Sequence, residues 1–292
     1  MRRIYVFFFL CVSCLTSAMA QDSVFARRII CDLASPQMFG RCCSSHGDSI
    51  AANYIRDVFR SMGVLPLADD FFQYYSFEKN RDVPPVIYEG YRTQNVCGFV
   101  PGECDSLMVF SAHYDHLGMH GDTIFYGAHD NASGTAAVLD LARMATMKRP
   151  YYTMVFLLFS GEEAGLLGSR YAAEHPLFNY AKVRLLCNID MFCGGDEGFM
   201  VVNANDSSTS AFVDQMVSYS SGHGKKVDIK RRNNAPNSDH YWFSLVCPSI
   251  FIYTLGGPYG GYHSPTDTCA GCGLGHYQDF LEIISSMAKL LR

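Results

Sequence analysis

The apolar run TMVFLLF at residues 153–159 decides the fold class. Every residue after the first is apolar, which is typical of a strand at the centre of a sheet that is covered on both faces. The run ends directly before the sequence SGEE at residues 160–163. A buried strand therefore delivers two neighbouring carboxylates, Glu162 and Glu163, to one edge of the predicted sheet.

Strands and helices alternate on both sides of this run. Further strands are predicted at residues 95–99, 106–112, 183–189, 199–203 and 248–253. The spacing of apolar residues predicts helices at residues 23–33, 48–62, 132–147, 166–174, 208–220 and 277–291. The segment 65–92 is rich in Tyr and Phe, and we interpret it as irregular or edge-strand structure. The alternation predicts an α/β sandwich with a largely parallel sheet, in a single domain at residues 21–292.

Potential ligands follow the predicted strands at their carboxyl ends. His113 comes directly after the strand at 106–112, and Asp190 directly after the strand at 183–189. In open α/β sheets, ligands bind outside the carboxyl ends of the strands. We therefore expect His113, Asp190 and the Glu162–Glu163 pair to converge in space.

Two further candidates stand in loops. Asp130 lies in the sequence GAHDNASG at residues 127–134, just before a predicted helix. His263 follows a glycine-rich loop at residues 256–262, after the last predicted strand. The small residues after Asp130 are expected to let the helix start close behind the site.

Histidine and carboxylate side chains without cysteine are the ligands of a hydrolytic zinc site. Paired ions of this kind lie roughly 3.5–4 Å apart and hold a water and a substrate oxygen between them. A bridging carboxylate suits such a pair, because each oxygen can bind one ion. Asp115, two residues after His113, is well placed to hold the second ring nitrogen of that ligand. Glu162 and Glu163 leave the backbone in different directions, so one can bind metal while the other takes a proton from water.

Charge and composition exclude several classes of partner. The chain has 292 residues and a formal net charge of −5, which becomes −7 when Arg2 and Arg3 are removed with a leader. A mildly acidic chain without long basic runs is not expected to bind nucleic acid. No segment after residue 20 is long and apolar enough to predict a membrane anchor.

Residues 1–20 predict a signal peptide. Arg2 and Arg3 precede an apolar run, and Ala18-Met19-Ala20 is an Ala-x-Ala cleavage site. The apolar run is shorter than the ~20 residues that a membrane span needs. We expect a secreted or periplasmic protein, cleaved after Ala20.

Export makes disulfides possible among the ten cysteines that remain of twelve once Cys11 and Cys14 are removed. The pairs that are close in sequence are Cys97 with Cys104, Cys187 with Cys193, and Cys269 with Cys272, although sequence does not fix the pairing. A structural zinc needs about four ligands. At Cys269 and Cys272 we therefore expect a local disulfide or free thiols rather than a zinc knuckle.

Five short motifs together resemble metallopeptidase family 28, the co-catalytic zinc aminopeptidases. The motifs are FSAHYDHLG at 110–118, GAHDNASG at 127–134, FSGEEAGLLGS at 159–169, NIDM at 188–191 and HSPTDT at 263–268. The resemblance covers most of the chain after the predicted leader. It implies the zinc exopeptidase fold, a three-layer α/β sandwich around a mixed sheet of about eight strands whose centre is parallel.

The resemblance also implies a role for each site residue. One Zn2+ ion would be held by His113, Asp130 and Asp190, and a second by Asp130, Glu163 and His263. Asp130 would bridge the two ions of the chain, Glu162 would be the general base, and Asp115 would orient His113. The implied substrates are peptides with a free N-terminus, from which one residue is released, and no organic cofactor is implied.

Two other functions remain as alternatives. Glutaminyl cyclases share the fold and resemble this chain at the acid and histidine positions, but they use one zinc and cyclise N-terminal Gln. The peptidase-like sequences at 130–134 and 188–191 argue against a cyclase. An inactive relative that serves as a binding or receptor domain is the other alternative. Against it, all five ligand positions and the base are filled by competent residues.

Several residues near the motifs match no ligand position. Asp239, in Ser238-Asp239-His240, is expected either to touch the site or to cap a helix. Three histidines are expected in loops or behind the ligands: His116, His120 and His129. Three tyrosines, of which one could stabilise an oxyanion while the others wall the pocket, are Tyr253, Tyr259 and Tyr262. Met191 is a further candidate for the pocket wall.

Overall fold

The apolar residues 153–159 lie in a central strand of a nine-stranded mixed sheet. The computed structural model describes residues 22–78, 91–257 and 261–288. The predicted signal peptide lies outside these ranges, as do residues 289–291 of the last predicted helix and Tyr259.

The strands, in chain order, are β1 (Leu65–Pro66), β2 (Phe72–Ser76), β3 (Arg92–Val100), β4 (Cys104–His113), β5 (Met119–His120), β6 (Thr123–Ile124), β7 (Tyr152–Phe159), β8 (Val183–Ile189), β9 (Phe199–Val202), β10 (Ile229–Arg232) and β11 (Ser249–Thr254). The α-helices are α1 (Ser23–Leu33), α2 (His46–Met62), α3 (Ser133–Met147), α4 (Leu167–Glu174), α5 (Ser210–Gly222), α6 (His240–Ser244) and α7 (Tyr277–Met287).

The sheet runs in the order β1-β3-β7-β4-β8-β11-β9-β10, and β2 also pairs with β3. The four central strands, β7, β4, β8 and β11, are parallel to their neighbours within that group. β3 and β9 flank the group and run antiparallel to it. The prediction of an α/β fold with a mixed, centrally parallel sheet is confirmed. The small sheet formed by β5 and β6 is separate.

Alternate side chains of the central strands point into two apolar cores, as the pleat of a strand requires. Phe110 and Phe156 face one core, which also contains buried residues of α1, α2, α3, α5 and α7. Val109 and Leu157 face the other core, against residues of α4 and α6. The helices therefore cover both faces of the sheet, which explains why the run at 153–159 is apolar on both sides.

Of two regions at the sheet edges, one differs from the sequence prediction and the other agrees with it. β10 was not predicted, because its sequence IKRR is charged and its residues are exposed or half-buried at the sheet edge. The segment at 65–78 forms β1 and β2, which agrees with the edge-strand interpretation. Among the described residues, no helix has the length and apolarity to cross a membrane.

Candidate metal centre

The carboxyl ends of four neighbouring strands meet at one edge of the sheet. β4 ends at His113, and β7 is followed by Glu162 and Glu163. β8 is followed by Asp190, and the loop after β11 leads to His263. Because these strands are adjacent in the sheet, the residues that were separated in sequence lie side by side.

Asp130 stands between two histidines, one on each side. His113 Nε2 lies 3.3 Å from Asp130 Oδ1 and 3.2 Å from Asp190 Oδ1. His263 Nε2 lies 3.2 Å from Asp130 Oδ2 and 3.1 Å from Glu163 Oε2. The two oxygens of Asp130 therefore belong to two different groups of side chains.

The loop that carries Asp130 is held by the carboxylate of Asp267. Oδ1 of Asp267 accepts a hydrogen bond from the backbone nitrogen of His129 at 2.8 Å, and Oδ2 accepts one from Asp130 at 3.1 Å. Asp267 is buried, and it lies four residues after His263. It therefore ties the loop of one candidate ligand to the loop of another, a role that sequence reasoning did not assign.

The small residues after Asp130 let α3 start close behind the site, as expected. A Cβ atom on Gly134 would lie 2.2 Å from the carbonyl oxygen of Ile189, the residue before Asp190. The side chain of Asn131 also joins these two segments. Its Nδ2 donates a hydrogen bond to Ile189 O at 3.1 Å, and its Oδ1 accepts one from the backbone nitrogen of Met191. The start of α3 is thereby joined to the end of β8.

Asp115 is fully buried behind His113. His113 Nδ1 lies 3.2 Å from the backbone oxygen of Asp115 and 3.5 Å from its Oδ1. Oδ1 of Asp115 also accepts a hydrogen bond from the backbone nitrogen of Glu162 at 3.2 Å. Asp115 thus lies between the ring of His113 and the start of the Glu162–Glu163 turn.

Glu162 can reach the His113 side of the site. Side-chain oxygen and nitrogen atoms of His113, Glu162 and Asp190 lie within 4.8 Å of one another. Burial raises the pKa of Glu162 well above its usual range, and the nearby Glu163 and Asp190 raise it further against the effect of His113. Divalent cations beside this carboxyl would favour its charged form.

Carboxyl groups outnumber basic side chains at the site. Seven carboxyl groups, all buried or half-buried, gather there: Asp115, Asp130, Glu162, Glu163, Asp190, Asp239 and Asp267. Arg41 is the one fully buried Arg or Lys in the described part of the chain. Buried charges persist only when they are paired or when they coordinate metal. The donor set of histidine nitrogen and carboxylate oxygen fits divalent zinc.

Arg41 holds the loops near the candidate ligands through hydrogen bonds. Its guanidinium donates to the backbone oxygens of Leu33, Tyr114, Tyr126 and Gly127. Tyr114 lies between His113 and Asp115, and Gly127 lies three residues before Asp130. Burial lowers the pKa of Arg41 to about 10, so it stays a cation at neutral pH.

Ser238 contacts the candidate ligand Asp190, and Asp239 is close enough for Asp190 and His113 to affect its charge state. Ser238 Oγ donates to Asp190 Oδ2 at 2.8 Å. Asp239 is fully buried at the N-cap position of α6, but its side chain makes no capping hydrogen bond. Burial raises the pKa of Asp239 to about 7. Of the two expected roles, helix capping by the side chain is therefore wrong.

The other candidate residues fall in different places. His120 is exposed on β5, whereas His129 is buried, and its Nδ1 accepts from the nitrogen of Cys193. The ring of Tyr262 stacks on His263 with 3.8 Å between centroids and is 61% exposed. Tyr262 therefore lies at the open side of the site. His116 is buried against the candidate ligand Glu163, which agrees with the expectation of a loop position or a place behind the ligands.

The cysteines pair differently from the expectation. Cys31 is bonded to Cys269, and Cys193 is bonded to Cys272. The prediction of a local disulfide or free thiols at Cys269 and Cys272 is therefore wrong, because each of these cysteines is joined to a cysteine distant in sequence. The remaining cysteines of the described chain are free: Cys42, Cys43, Cys97, Cys104, Cys187 and Cys247.

The model of peptidase family M28 matches residues 95–288. A probable leucine aminopeptidase of Arthroderma otae is 28% identical over 188 residues, which cover 61% of this chain and 52% of that protein. A probable zinc metalloprotease of Leptosphaeria maculans is 30% identical over 164 residues, which cover 52% and 37%. The chain spans about half or less of the length of these curated relatives.

Solved structures share the fold along almost the whole chain. A leucine aminopeptidase precursor from Bacteroides thetaiotaomicron superposes with a TM-score of 0.73 at 17% identity, covering 94% of this chain and 98% of its own. A glutaminyl cyclase from the same organism superposes with a TM-score of 0.72 at 17% identity and the same coverage. At this identity the likeness concerns the fold, and the fold alone does not separate the two activities.

Proposed function

This chain belongs to peptidase family M28, and we propose that it is a zinc-dependent aminopeptidase that hydrolyses the N-terminal bond of peptides. The observation that carries the proposal is the position of Asp130, whose two oxygens each face a different histidine–carboxylate pair. This arrangement suits a carboxylate that bridges two metal ions. The name of the aminopeptidase relative supports the same activity.

The ligand sets follow from the two groups around Asp130. His113, Asp130 and Asp190 would hold one Zn2+ ion, and Asp130, Glu163 and His263 would hold the other. When bound, the zinc ions supply Lewis acidity, which lowers the pKa of water and polarises a carbonyl group. Asp115 would orient His113 from behind, consistent with its distances of 3.2 and 3.5 Å from Nδ1.

Glu162 is the general base of the proposed reaction. Its carboxylate takes a proton from the attacking water, whose oxygen adds to the scissile carbonyl carbon. The same carboxyl then gives the proton to the leaving amine as the C–N bond breaks. Glu162 is suited to this because its side-chain oxygens lie close to those of Asp190 and to the ring of His113, and neither proposed ligand set includes it.

We also propose that the catalytic domain, residues 21–292, acts outside the cytoplasm. Residues 1–20 have the pattern of a signal peptide. Disulfides form and persist in oxidising compartments, and the two disulfides support export. Comparing the N-terminal residue and location of the protein expressed with and without residues 1–20 tests this.

A panel of aminoacyl-amides and short peptides tests the activity. We expect release of the free N-terminal amino acid, loss of turnover with a chelator, and recovery on adding zinc. N-acetylated peptides are the matched control, because they lack the free amine, and they should not be cleaved. Fewer than one zinc per chain after careful reconstitution, with no turnover, would favour an inactive binding relative instead.

Glutaminyl cyclisation is the second candidate, favoured by the fold shared with the Bacteroides cyclase. A Gln-initiated peptide separates the two reactions by mass spectrometry. Loss of ammonia from an otherwise intact peptide supports the cyclase. Release of free Gln supports the peptidase.

A further inference from the structure

His116 is a buried histidine that the two ligand sets do not use. Its side chain is fully buried, and its backbone nitrogen donates to Arg41 O at 3.2 Å. The ring lies against the backbone of Gly127, where a Cβ atom would be 2.5 Å from Cγ of His116. The close approach of Gly127 and the bond to Arg41 leave the ring little freedom to move.

The ring nitrogen of His116 points at a candidate ligand. Nδ1 lies 2.8 Å from Oε1 of Glu163 and 4.0 Å from Oδ2 of Asp130. The other oxygen of Glu163, Oε2, lies 3.1 Å from Nε2 of His263. The two oxygens of Glu163 are therefore divided between His116 and the His263 side of the site.

The distances set His116 apart from the candidate ligand His263. Nε2 of His263 lies at nearly equal distances from Asp130 and Glu163, 3.2 and 3.1 Å, as expected of a nitrogen that shares an ion with both carboxylates. Nδ1 of His116 is close to Glu163, at 2.8 Å, but lies 4.0 Å from Asp130. The contact with Glu163 is a hydrogen bond when Nδ1 carries the hydrogen, because an ionised carboxylate only accepts.

We propose that His116 is a positioning residue for the metal site of Glu163 and His263. Its Nδ1–H holds Oε1 of Glu163, so that only Oε2 is presented to the metal. This inference rests on the proposed function, because it assumes that Glu163 is a ligand. Hydrogen-bond partners behind ligands typically contribute about 10–100-fold to metal affinity.

Two substitutions test the two ring nitrogens of His116 one at a time. The amide nitrogen of His116→Asn lies near the position of Nδ1, whereas that of His116→Gln reaches the position of Nε2. His116→Ala removes both donors, and the exposed His120→Ala is the matched control. Zinc affinity is measured by competition with a chromophoric chelator, and cobalt absorption reports the ligand geometry of each site.

We expect His116→Ala to weaken one of two zinc-binding steps by about 10–100-fold and to leave the other within about threefold. His116→Asn should restore most of the loss, whereas His116→Gln should not. His116→Ala should still weaken zinc binding when it is combined with Asp190→Asn. It should have no further effect when it is combined with Glu163→Gln, because that variant already lacks the carboxylate that His116 holds.

Three results would overturn the proposal. Equal metal loss in His116→Asn and His116→Ala would indicate a direct ligand. Unchanged affinity in every folded variant would indicate a packing role alone, and equal loss at both steps would indicate a general collapse of the site. Because the readout is metal binding, a wild-type protein that binds two zinc ions but cleaves no peptide would refute the activity and leave this test intact.

Discussion

Asp130 differs from the neighbouring carboxylates because each of its oxygens faces a different histidine–carboxylate pair, His113 with Asp190 on one side and His263 with Glu163 on the other. We expect Asp130→Asn to weaken both zinc-binding steps by more than about 100-fold, since its amide cannot bridge two cations as a carboxylate does. Asp190→Asn and Glu163→Gln should each weaken mainly one step. Zinc titration against a competing chelator measures this. Selective loss of a single step in Asp130→Asn would contradict the bridging role.

Substituting Glu162 should reduce turnover without reducing metal binding. Glu162→Gln removes the proton acceptor but keeps the shape of the side chain, so turnover should fall by at least about 100-fold. Zinc content should not change. The exposed Glu197→Gln is the control, and both are followed by peptide hydrolysis and metal analysis. Near-normal turnover in Glu162→Gln would refute the assignment of the base.

Asp267 belongs to neither proposed ligand set, but it holds the loop that carries the candidate ligand Asp130. Both of its oxygens accept from backbone N–H groups, those of His129 and Asp130. In Asp267→Asn one of these N–H groups must face an NH2 group, so the Asp130 loop should shift. We expect zinc affinity to fall by about 10–100-fold at both steps. Asp196→Asn, at an exposed carboxylate, should not change affinity in the same chelator competition.

The convergence of the candidate ligands could be predicted where residue type and strand position were enough. His113, the Glu162–Glu163 pair and Asp190 follow buried strands, and parallel strands bring their carboxyl ends to one edge. The contributions of Asp267 and Arg41 could not be predicted in this way, and neither could the contact of His116 with Glu163, although His116 was expected in a loop or behind the ligands. Their side chains act across gaps of tens of residues, and side-chain direction in a loop does not follow from spacing.

Burial separates the strands and helices that could be predicted from those that could not. The central strands were recognised because burial on both faces makes them apolar. β10 is an edge strand with three charged residues, and α6 spans only five residues, so neither carries a periodic apolar pattern. The two disulfides depend on loops that meet only in the folded chain.

The start of α6 carries a pH-sensitive contribution to stability. His240 is buried against Phe251, and burial lowers its pKa to about 4. The unfolded chain, with an ordinary histidine pKa of about 6.5, binds the proton first as pH falls. Stability is therefore present above about pH 6.5 and is lost toward pH 4, by up to about 3 kcal/mol.

Replacing His240 should remove this part of the acid sensitivity. We expect the free energy of unfolding of His240→Gln to fall less between pH 7.5 and 4.5 than that of the wild type, by about 2–3 kcal/mol. Urea unfolding of the metal-free protein in chelator measures it, because acid also releases metal ions. His223→Gln, at an exposed histidine, should follow the wild type. Parallel pH profiles for His240→Gln and the wild type would contradict this explanation.

The two disulfides join the segment just after the HSPTDT motif to distant parts of the chain. Cys269 is bonded to Cys31 in α1, and Cys272 is bonded to Cys193, three residues after Asp190. The sequence separations are 238 and 79 residues. Closing loops of this length restricts the unfolded chain strongly, so each disulfide is expected to stabilise the fold by about 2–5 kcal/mol.

Removing the Cys193–Cys272 bond tests both its stabilising effect and its link to the metal centre. We expect Cys193→Ala with Cys272→Ala to lower the free energy of unfolding by about 2–5 kcal/mol in urea. Part of the deficit should be recovered with zinc, because ligands that bind the folded state stabilise it. Cys187→Ala, at a buried free cysteine, controls for the loss of packing at one sulfur. If the double variant unfolds no more easily than Cys187→Ala, the disulfide does not stabilise the loop that carries His263.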